Sequence, residues 1–265
     1  MCIRDRSDFA VGTPRRAPSP RGAMAEPEVI PLATRGYWED WYRDRVVRDG
    51  DPSAVPEDDL FEWLAGSDAS DGGALWRAIL TLPRSARVLE LGCGVSRLSE
   101  RMWLAGFRRV LALDFTPISV RVMRARADAL GAPPDQLRYE VADVLRLDDA
   151  LVPPGAFDVV IDKGLLDVLL NANDQVRWWR RCGSRGRCGY DDAKSRADAR
   201  DALRAAARAL APGGVMLALS YEPPSGRSTF FADAACGWRF RKPPMEDGRG
   251  NYLYELEKTA EGDGG

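Results

Sequence analysis

A glycine-rich turn is the residue pattern in this chain with the clearest chemical meaning. The segment Val88-Leu-Glu-Leu-Gly-Cys-Gly-Val-Ser96 follows an apolar run and precedes an amphipathic one, as a turn between a strand and a helix does. Glycines in such a turn let a ligand approach the backbone where a Cβ atom would collide. The spacing is Gly-x-Gly-x-Ser and lacks the third glycine that seats a pyrophosphate on a helix N-terminus. The pattern predicts a small-molecule site and disfavours a dinucleotide.

Two carboxylates follow the next two apolar runs, at the positions where parallel strands would end. Asp114 comes twenty-two residues after Gly92, a spacing at which an acid can accept hydrogen bonds from both hydroxyls of a ribose. Asp143 could accept a hydrogen bond from the exocyclic amine of adenine, with the backbone N–H of Val144 nearby. Asp114 could also cap the helix that begins near Ile118, and the two roles are compatible. Together the two acids predict a nucleoside site.

An acid and a base, Asp162 and Lys163, end the fourth apolar run just before Gly164. We predict that Asp162 is the catalytic residue that orients an incoming amine, with Asp167 as the alternative for that role. Lys163 is predicted to contact the ligand or the loop beneath it. A plain salt bridge or a cap at the strand end is the alternative interpretation of these charges.

Aromatic residues cluster ahead of the first strand. Trp38 and Tyr42 belong to Tyr37-Trp-Glu-Asp-Trp-Tyr42, and Trp63 belongs to Leu60-Phe-Glu-Trp-Leu64; both segments are predicted to be short helices. Because an aromatic face attracts a cation, these side chains are candidates for closing over a positively charged ligand. The alternative is an amphipathic helix that buries its aromatic residues in the core.

A basic, glycine-rich stretch at 171–190 fits neither a helix nor a strand and is predicted to be a surface loop or insertion. Its arginines and tryptophans could grip an acidic partner or RNA, although we favour a solvated loop. The residues concerned are Arg177, Trp178, Trp179, Arg180, Arg181, Arg185 and Arg187.

Composition narrows the chemistry further. The 265 residues contain no histidine, which excludes the commonest general base, His-activated nucleophiles and His-ligated metals. Five scattered cysteines without a C-x-x-C pair indicate a reducing compartment, so we expect a cytoplasmic protein without a structural metal. The net charge of -2 gives no global attraction to nucleic acid, and no apolar run is long enough to span a membrane.

From Arg87 onward, short apolar runs alternate with longer amphipathic ones, which is the pattern of βαβ units around a parallel sheet. The sequence predicts an α/β, Rossmann-like fold: a seven-stranded, mostly parallel sheet with helices on both faces and an antiparallel final strand. We expect Pro212-Gly-Gly214 to end the last long helix. The predicted strands are 87–91, 110–114, 137–141, 157–162, 215–220, 237–241 and 251–257, and the predicted helices are 74–82, 97–105, 118–130 and 190–210.

One domain is predicted over residues 26–258. Residues 1–25 are rich in Pro, Arg and small residues and are expected to be disordered, as is the tail at 259–265. The Arg and Ser content of the N-terminal segment is similar to that of a mitochondrial transit peptide, but such peptides contain few acidic residues, so Asp5 and Asp8 argue against mitochondrial targeting. We therefore favour the cytoplasm over the mitochondrion.

Taken together, these residues resemble a methyltransferase-like family that includes the elongation factor 1-alpha lysine methyltransferases and the citrate synthase lysine methyltransferase. The resemblance covers roughly residues 36–258. Its most specific element is Asp162-Lys-Gly-Leu-Leu-Asp167, combined with Gly-Cys-Gly-x-Ser and the early Tyr-Trp-x-x-x-Tyr. Leu165 departs from the threonine that is usual in the family, and the composition of 171–190 is not typical of it.

The resemblance implies a class I methyltransferase with S-adenosylmethionine as its cofactor and a lysine of a protein, such as a translation factor, as its substrate. A small-molecule or RNA methyltransferase on the same fold is the alternative, because fold and cofactor do not determine the acceptor. Methyl transfer needs alignment and exclusion of water rather than a histidine. The resemblance places the family's cofactor contacts on Trp38, Tyr42, Trp63, Gly92, Asp114, Phe115, Asp143, Val144 and Lys163.

Overall fold

The structure is a computed structural model that describes residues 34–45, 62–64, 73–170, 192–232 and 237–258. The predicted disordered ends at 1–25 and 259–265 and the basic stretch at 171–190 lie outside the described residues. The helices are α1 (Arg35–Arg45), α2 (Ala74–Leu80), α3 (Leu98–Leu104), α4 (Pro117–Ala129), α5 (Leu165–Leu170), α6 (Asp192–Ala209) and α7 (Pro224–Phe231). The strands are β1 (Val88–Leu91), β2 (Val110–Asp114), β3 (Leu137–Val141), β4 (Phe157–Lys163), β5 (Leu210–Ser220), β6 (Trp238–Phe240), β7 (Met245–Glu246) and β8 (Tyr252–Lys258).

Within the described ranges, eight strands form one sheet in the order β3-β2-β1-β4-β5-β8-β6, with β7 also paired to β8. Strands β1 to β5 run parallel to one another, whereas β8 runs antiparallel to β5, β6 and β7. The predicted fold class, including the antiparallel final strand, is confirmed. The two-residue β7 lies in the turn expected between the last two strands. The sequence does not predict this strand, because two residues are too few to show an alternating pattern.

The sheet buries an apolar core on each face, because successive side chains of a strand point to opposite sides. On one face, Val88 and Ile161 pack with residues of α1 to α4. On the other face, Leu89 and Val160 pack with residues of α5, α6 and α7. Strand β1 lies between β2 and β4, where the strand order reverses, and ligands of such sheets bind outside the carboxyl ends of the strands at this point.

The start of β5 differs from the expectation. The sequence predicts a strand from Val215 after a helix stop at 212–214, but α6 ends at Ala209 and β5 begins directly at Leu210. The pairing of β5 with β4 shifts register across this segment. Gly213 has a φ of 74°, which glycine adopts without strain. The Pro-Gly-Gly sequence therefore marks an irregularity within a strand. Glycine and proline occur at such irregularities as well as in turns.

The second aromatic segment is not helical where the structure describes it. Trp63 and Leu64 form a turn, and Leu64 has a φ of 59°. The predicted short helix is therefore wrong for these two residues, because a left-handed residue does not continue a right-handed helix. Leu60 and Phe61 lie outside the described residues. The first aromatic segment is helical as expected and forms the core of α1.

Candidate functional site

A cavity opens at the carboxyl ends of β1, β2 and β4. It is walled by α1, by the turn at 62–64, by the loops that follow β1 to β4, and by α5. The structure thus gathers residues from six separate parts of the chain around one space. All nine residues for which the sequence predicts cofactor contact line it: Trp38, Tyr42, Trp63, Gly92, Asp114, Phe115, Asp143, Val144 and Lys163.

The glycine turn after β1 forms the floor of the cavity. Gly92 and Gly94 have φ angles of 64° and 54°, in the left-handed region that glycine tolerates. A Cβ atom on Gly94 would lie 2.7 Å from the hydroxyl oxygen of Tyr42, and one on Gly92 would lie 3.1 Å from Leu165. Both the backbone conformation and the close neighbours therefore require glycine at these positions.

Asp114 connects the glycine turn to the start of α4. Its Oδ2 accepts a hydrogen bond from the Gly94 backbone N–H at 2.9 Å, and its Oδ1 accepts from the backbone N–H and the hydroxyl of Thr116. Thr116, rather than Asp114, occupies the N-cap position of α4. An ionised carboxylate has about four lone-pair sites, so one on Oδ2 is left for a ligand. Burial raises the pKa of Asp114, while the bonds from Thr116 and Gly94 lower it.

Asp143 and Val144 form the wall of the cavity after β3. The Oδ1 of Asp143 accepts a hydrogen bond from the Leu145 backbone N–H at 3.0 Å, which closes the 3₁₀ turn Val144–Arg146. This bond orients the carboxylate at the cavity and leaves Oδ2 available. Phe115 also lines the cavity, with the Arg35 guanidinium 6.0 Å from its ring centre.

An aromatic cluster covers the cavity from the side of α1. Trp38 meets Trp63 edge to face with ring centres 6.3 Å apart, and its ring centre lies 5.9 Å from that of Tyr42. Trp38 and Tyr42 are buried in the core and also line the cavity; their contact with a positively charged ligand stays a prediction. Burial raises the pKa of Tyr42, and the charge of Asp114 raises it further. The hydroxyl of Tyr42 is therefore a neutral group.

Lys163 contacts the loop rather than projecting freely into the cavity. Its Nζ donates to Glu62 Oε2 at 3.0 Å and to the carbonyl oxygen of Trp63 at 2.8 Å. Glu62 also accepts hydrogen bonds from the hydroxyl of Ser96 and from the Arg97 backbone N–H, at 3.1 and 2.6 Å. The sequence reasoning missed Glu62. The sequence feature that could have identified Glu62 is an acidic residue directly before Trp63, inside an apolar run.

Asp162 is absent from the residues that line the cavity. Its Oδ1 accepts hydrogen bonds from the backbone N–H groups of Leu165 and Leu166, at 2.7 and 3.4 Å, so it caps the first turn of α5. Burial and the charge of Asp167 raise the pKa of Asp162 from 3.8 to about 7, although the bond from Leu165 lowers it. The cap at the strand end, which the sequence analysis gave as an alternative role for these charges, is therefore present at Asp162. The catalytic role of Asp162 stays a prediction.

Asp167, the alternative candidate, belongs to a buried cluster at the ends of α5 and β5. It forms an ion pair with Arg227 and accepts a hydrogen bond from the hydroxyl of Ser220 at 2.5 Å. Burial raises the pKa of Asp167, and the Arg227 charge opposes that rise. This carboxylate is already occupied by partners of its own chain, and it holds α5, β5 and α7 together.

The residues of the cavity fit S-adenosylmethionine. Asp114 and Asp143 each keep acceptor capacity for a ribose hydroxyl or an adenine amine, and the aromatic cluster suits a sulfonium cation. Among the described lining residues, Lys163 carries the basic side chain, and Glu62 already pairs with it. A phosphate would meet no unpaired basic side chain among them. This matches the missing third glycine of the turn.

The described part of the chain contains no group of three or more His, Cys, Asp or Glu side chains that could hold a metal ion. None of its helices is long and apolar enough to cross a bilayer.

Comparisons with known proteins agree with the geometry of the site. A family described as a methyltransferase domain matches residues 83–238. Two curated relatives are EEF1A lysine methyltransferase 4 from Mus musculus and its counterpart from Bos taurus. Each is 31% identical to this chain over 242 residues, which cover 91% of this chain and 83% of the relative.

A solved structure of magnesium protoporphyrin IX methyltransferase from Synechocystis PCC 6803 with bound SAM has a TM-score of 0.55 to this chain. It is 17% identical and covers 89% of this chain and 100% of its own, so it supports the fold alone. The family match spans more than half of the residues, and the curated relatives align over most of theirs. The chain therefore belongs to the methyltransferase-domain family and is an S-adenosylmethionine-dependent methyltransferase.

Proposed function

We propose that this enzyme methylates the ε-amino group of a lysine in a protein, and that the protein is a translation elongation factor of the eEF1A type. The observation that carries the proposal is the 31% identity, over 91% of this chain, to two relatives named as EEF1A lysine methyltransferases. The segment Asp162-Lys-Gly-Leu-Leu-Asp167, which resembles the signature of the same family, also supports it.

Bound S-adenosylmethionine supplies a methyl group that is already activated for transfer. The residues of the chain then have to orient the acceptor and exclude water. Leu165, Val168 and Leu169 line the cavity from one face of α5, because they are spaced by three and four residues. Together with Trp63 they form an apolar wall. Apolar surroundings favour the neutral amine over the ammonium ion, and the neutral amine has the lone pair that attacks.

We propose that Asp162 supports this wall through α5. Its carboxylate holds the first turn of the helix, and that turn places Leu165 against Gly92. The role predicted from the sequence, direct contact with the incoming amine, would require Asp162 to reach the cavity when the substrate binds. Replacing Asp162 by asparagine and by alanine distinguishes the two roles, as described below.

Transfer of label from S-adenosylmethionine to proteins tests the proposed acceptor. Purified enzyme is incubated with a cell extract and with S-adenosylmethionine that carries an isotopically labelled methyl group, and the products are separated into protein, RNA and small molecules. We expect the label on a lysine of an elongation factor, located by peptide mass spectrometry. Label found only in RNA or only in small molecules would contradict the proposal and favour the alternative acceptors. An enzyme with the Asp114→Ala substitution serves as the inactive control.

A cytoplasmic location and a single catalytic domain over residues 26–258 are also proposed. The location rests on the five scattered cysteines, which are typical of a reducing compartment. The domain limits rest on the change in composition near residue 26 and on the alignment with curated relatives over 91% of the chain. Fractionation of cells that express the tagged enzyme measures the location directly.

A further inference from the structure

Glu62 bridges two parts of the cofactor cavity that are far apart in the sequence. The hydroxyl of Ser96 and the backbone N–H of Arg97 donate to it at the exit of the glycine turn, at 3.1 and 2.6 Å. The Nζ of Lys163 donates to it from the end of β4 at 3.0 Å. One carboxylate thus connects the loops that follow β1 and β4 to the turn at 62–64.

The ion pair at the centre of this bridge is shielded from water. The side chain of Lys163 is 4% exposed and that of Glu62 is 18% exposed. Charges that are removed from water interact more strongly than charges on the surface, and each depends on its partner to offset the loss of hydration. Breaking the pair on one side would leave a buried ammonium or carboxylate without its counter-charge.

The same lysine holds Trp63 in place. Its Nζ donates to the Trp63 carbonyl oxygen at 2.8 Å, and the indole lies so close to Gly164 that a Cβ atom there would collide with Trp63 Cδ1. The next residue, Leu64, has a φ of 59°. A leucine keeps such a conformation only where surrounding contacts hold it. The turn is therefore held in place by the pair and by its packing, against the preference of its own backbone.

We propose that Glu62 is a positioning residue for the cofactor: its pairing with Lys163 keeps Trp63 across the cavity and slows cofactor release. Lys163 then contributes to binding mainly through this turn. The inference rests on the proposed cofactor site and is independent of the identity of the methyl acceptor. It predicts that Glu62 and Lys163 act on cofactor affinity as one unit.

A double-mutant cycle with S-adenosylhomocysteine as the probe tests the proposal on the full-length enzyme. We expect Glu62→Gln and Lys163→Met each to raise the Kd between tenfold and about a hundredfold, mainly through faster dissociation in stopped-flow measurements. The double variant should bind within about threefold of the weaker single variant, because the second substitution removes a partner that no longer acts. The KM for S-adenosylmethionine should rise by a larger factor than kcat at saturating cofactor falls.

A second charged pair provides the matched control. Lys242 and Glu255 make a Lys–Glu pair at 2.9 Å that does not border the cavity, and Glu255→Gln should leave the Kd within about twofold of wild type. If Glu62→Gln does not fold, the double variant still tests the idea, because it removes both charges of the pair together. Wild-type affinity in the double variant, or single effects that multiply, would overturn the proposal. Failure of the wild type to bind the probe would instead contradict the cofactor site itself.

Discussion

At the scale of single residues, the carboxylates in and beside this site accept hydrogen bonds from their own chain, and these bonds stabilise the fold. Asp114 satisfies Gly94 and Thr116 and keeps one acceptor site, and Asp162 holds the first turn of α5. The spacing of the sequence predicts where such acids stand, because strand ends recur at regular distances. The spacing does not predict the hydrogen-bond partners of these acids, because the partners depend on the backbone conformation of the nearby turn or helix start. Glu62 was missed for the same reason.

Glu90 is expected to make stability depend on pH. Burial raises its pKa from 4.5 to about 7, while the hydrogen bond from Ser99 and the charge of Lys163 lower it. The folded protein therefore keeps a proton that the unfolded chain releases between pH 4.5 and 7, so the free energy of unfolding falls as the pH rises through this window. Glu90→Gln removes this ionisation. We expect its advantage over wild type to grow by up to about 3 kcal/mol between pH 5 and 8, as measured by urea unfolding. A difference that does not change with pH would contradict the assignment.

Gly94→Ala tests the close approach of the glycine turn to Tyr42. An added Cβ atom meets the Tyr42 hydroxyl at 2.7 Å and sits on a backbone with a φ of 54°, whereas Gly131 has a φ of 71° with no neighbour within 4 Å. Both substitutions carry the left-handed backbone penalty of about 1–2 kcal/mol, and only Gly94→Ala adds the collision. We expect a larger loss of stability for Gly94→Ala, partly recovered by Tyr42→Phe. Equal losses at the two glycines would show that the contact is unimportant.

At the scale of elements, regular periodicity predicts most of the strands and helices, because alternation and helical spacing are set by the two faces of the sheet. The expected strands 110–114 and 137–141 match β2 and β3. Expectations fail where an element has an irregular backbone: β5 begins at Leu210 and runs through the segment 212–214 that was expected to stop a helix, and the turn at 63–64 contains a left-handed leucine. Proline and glycine signal both a break and a bulge, and only tertiary pairing separates the two.

The cap on α5 belongs to this scale and has its own test. Asp162→Asn retains an acceptor oxygen for Leu165, whereas Asp162→Ala removes it. If Asp162 acts through the helix, the asparagine variant should keep kcat within about threefold, and the alanine variant should lose about 1 kcal/mol of stability together with activity. If Asp162 instead takes the proton of the amine, Asp162→Asn should lower kcat about a hundredfold or more and should remove the rise in rate that a base with a pKa of about 7 gives. Unfolding curves and a pH–rate profile measure both.

At the scale of the whole molecule, the fold follows from the sequence more completely than the acceptor does. The strand order places the loops after β1 to β4 at one edge, so the six predicted cofactor residues on those loops meet around one cavity, whereas the three aromatic residues reach it from α1 and from the turn at 62–64. A parallel sheet brings its carboxyl ends together whatever the loops contain, which is why this gathering was predictable. Acceptor choice depends on side chains that vary without changing the fold. Similarity to named relatives, rather than periodicity, therefore supports the proposed lysine substrate.

Titration calorimetry with S-adenosylhomocysteine tests the central claim, that this cavity holds the cofactor with Asp114 as its key acceptor. We expect one site in the wild type and a loss of at least about a hundredfold in affinity for Asp114→Ala, or about 3 kcal/mol. Asp158→Ala is the matched control, because Asp158 lies on β4 outside the cavity and pairs with Arg87; its affinity should equal that of wild type. No binding to the wild type, or equal binding to Asp114→Ala, would contradict the account.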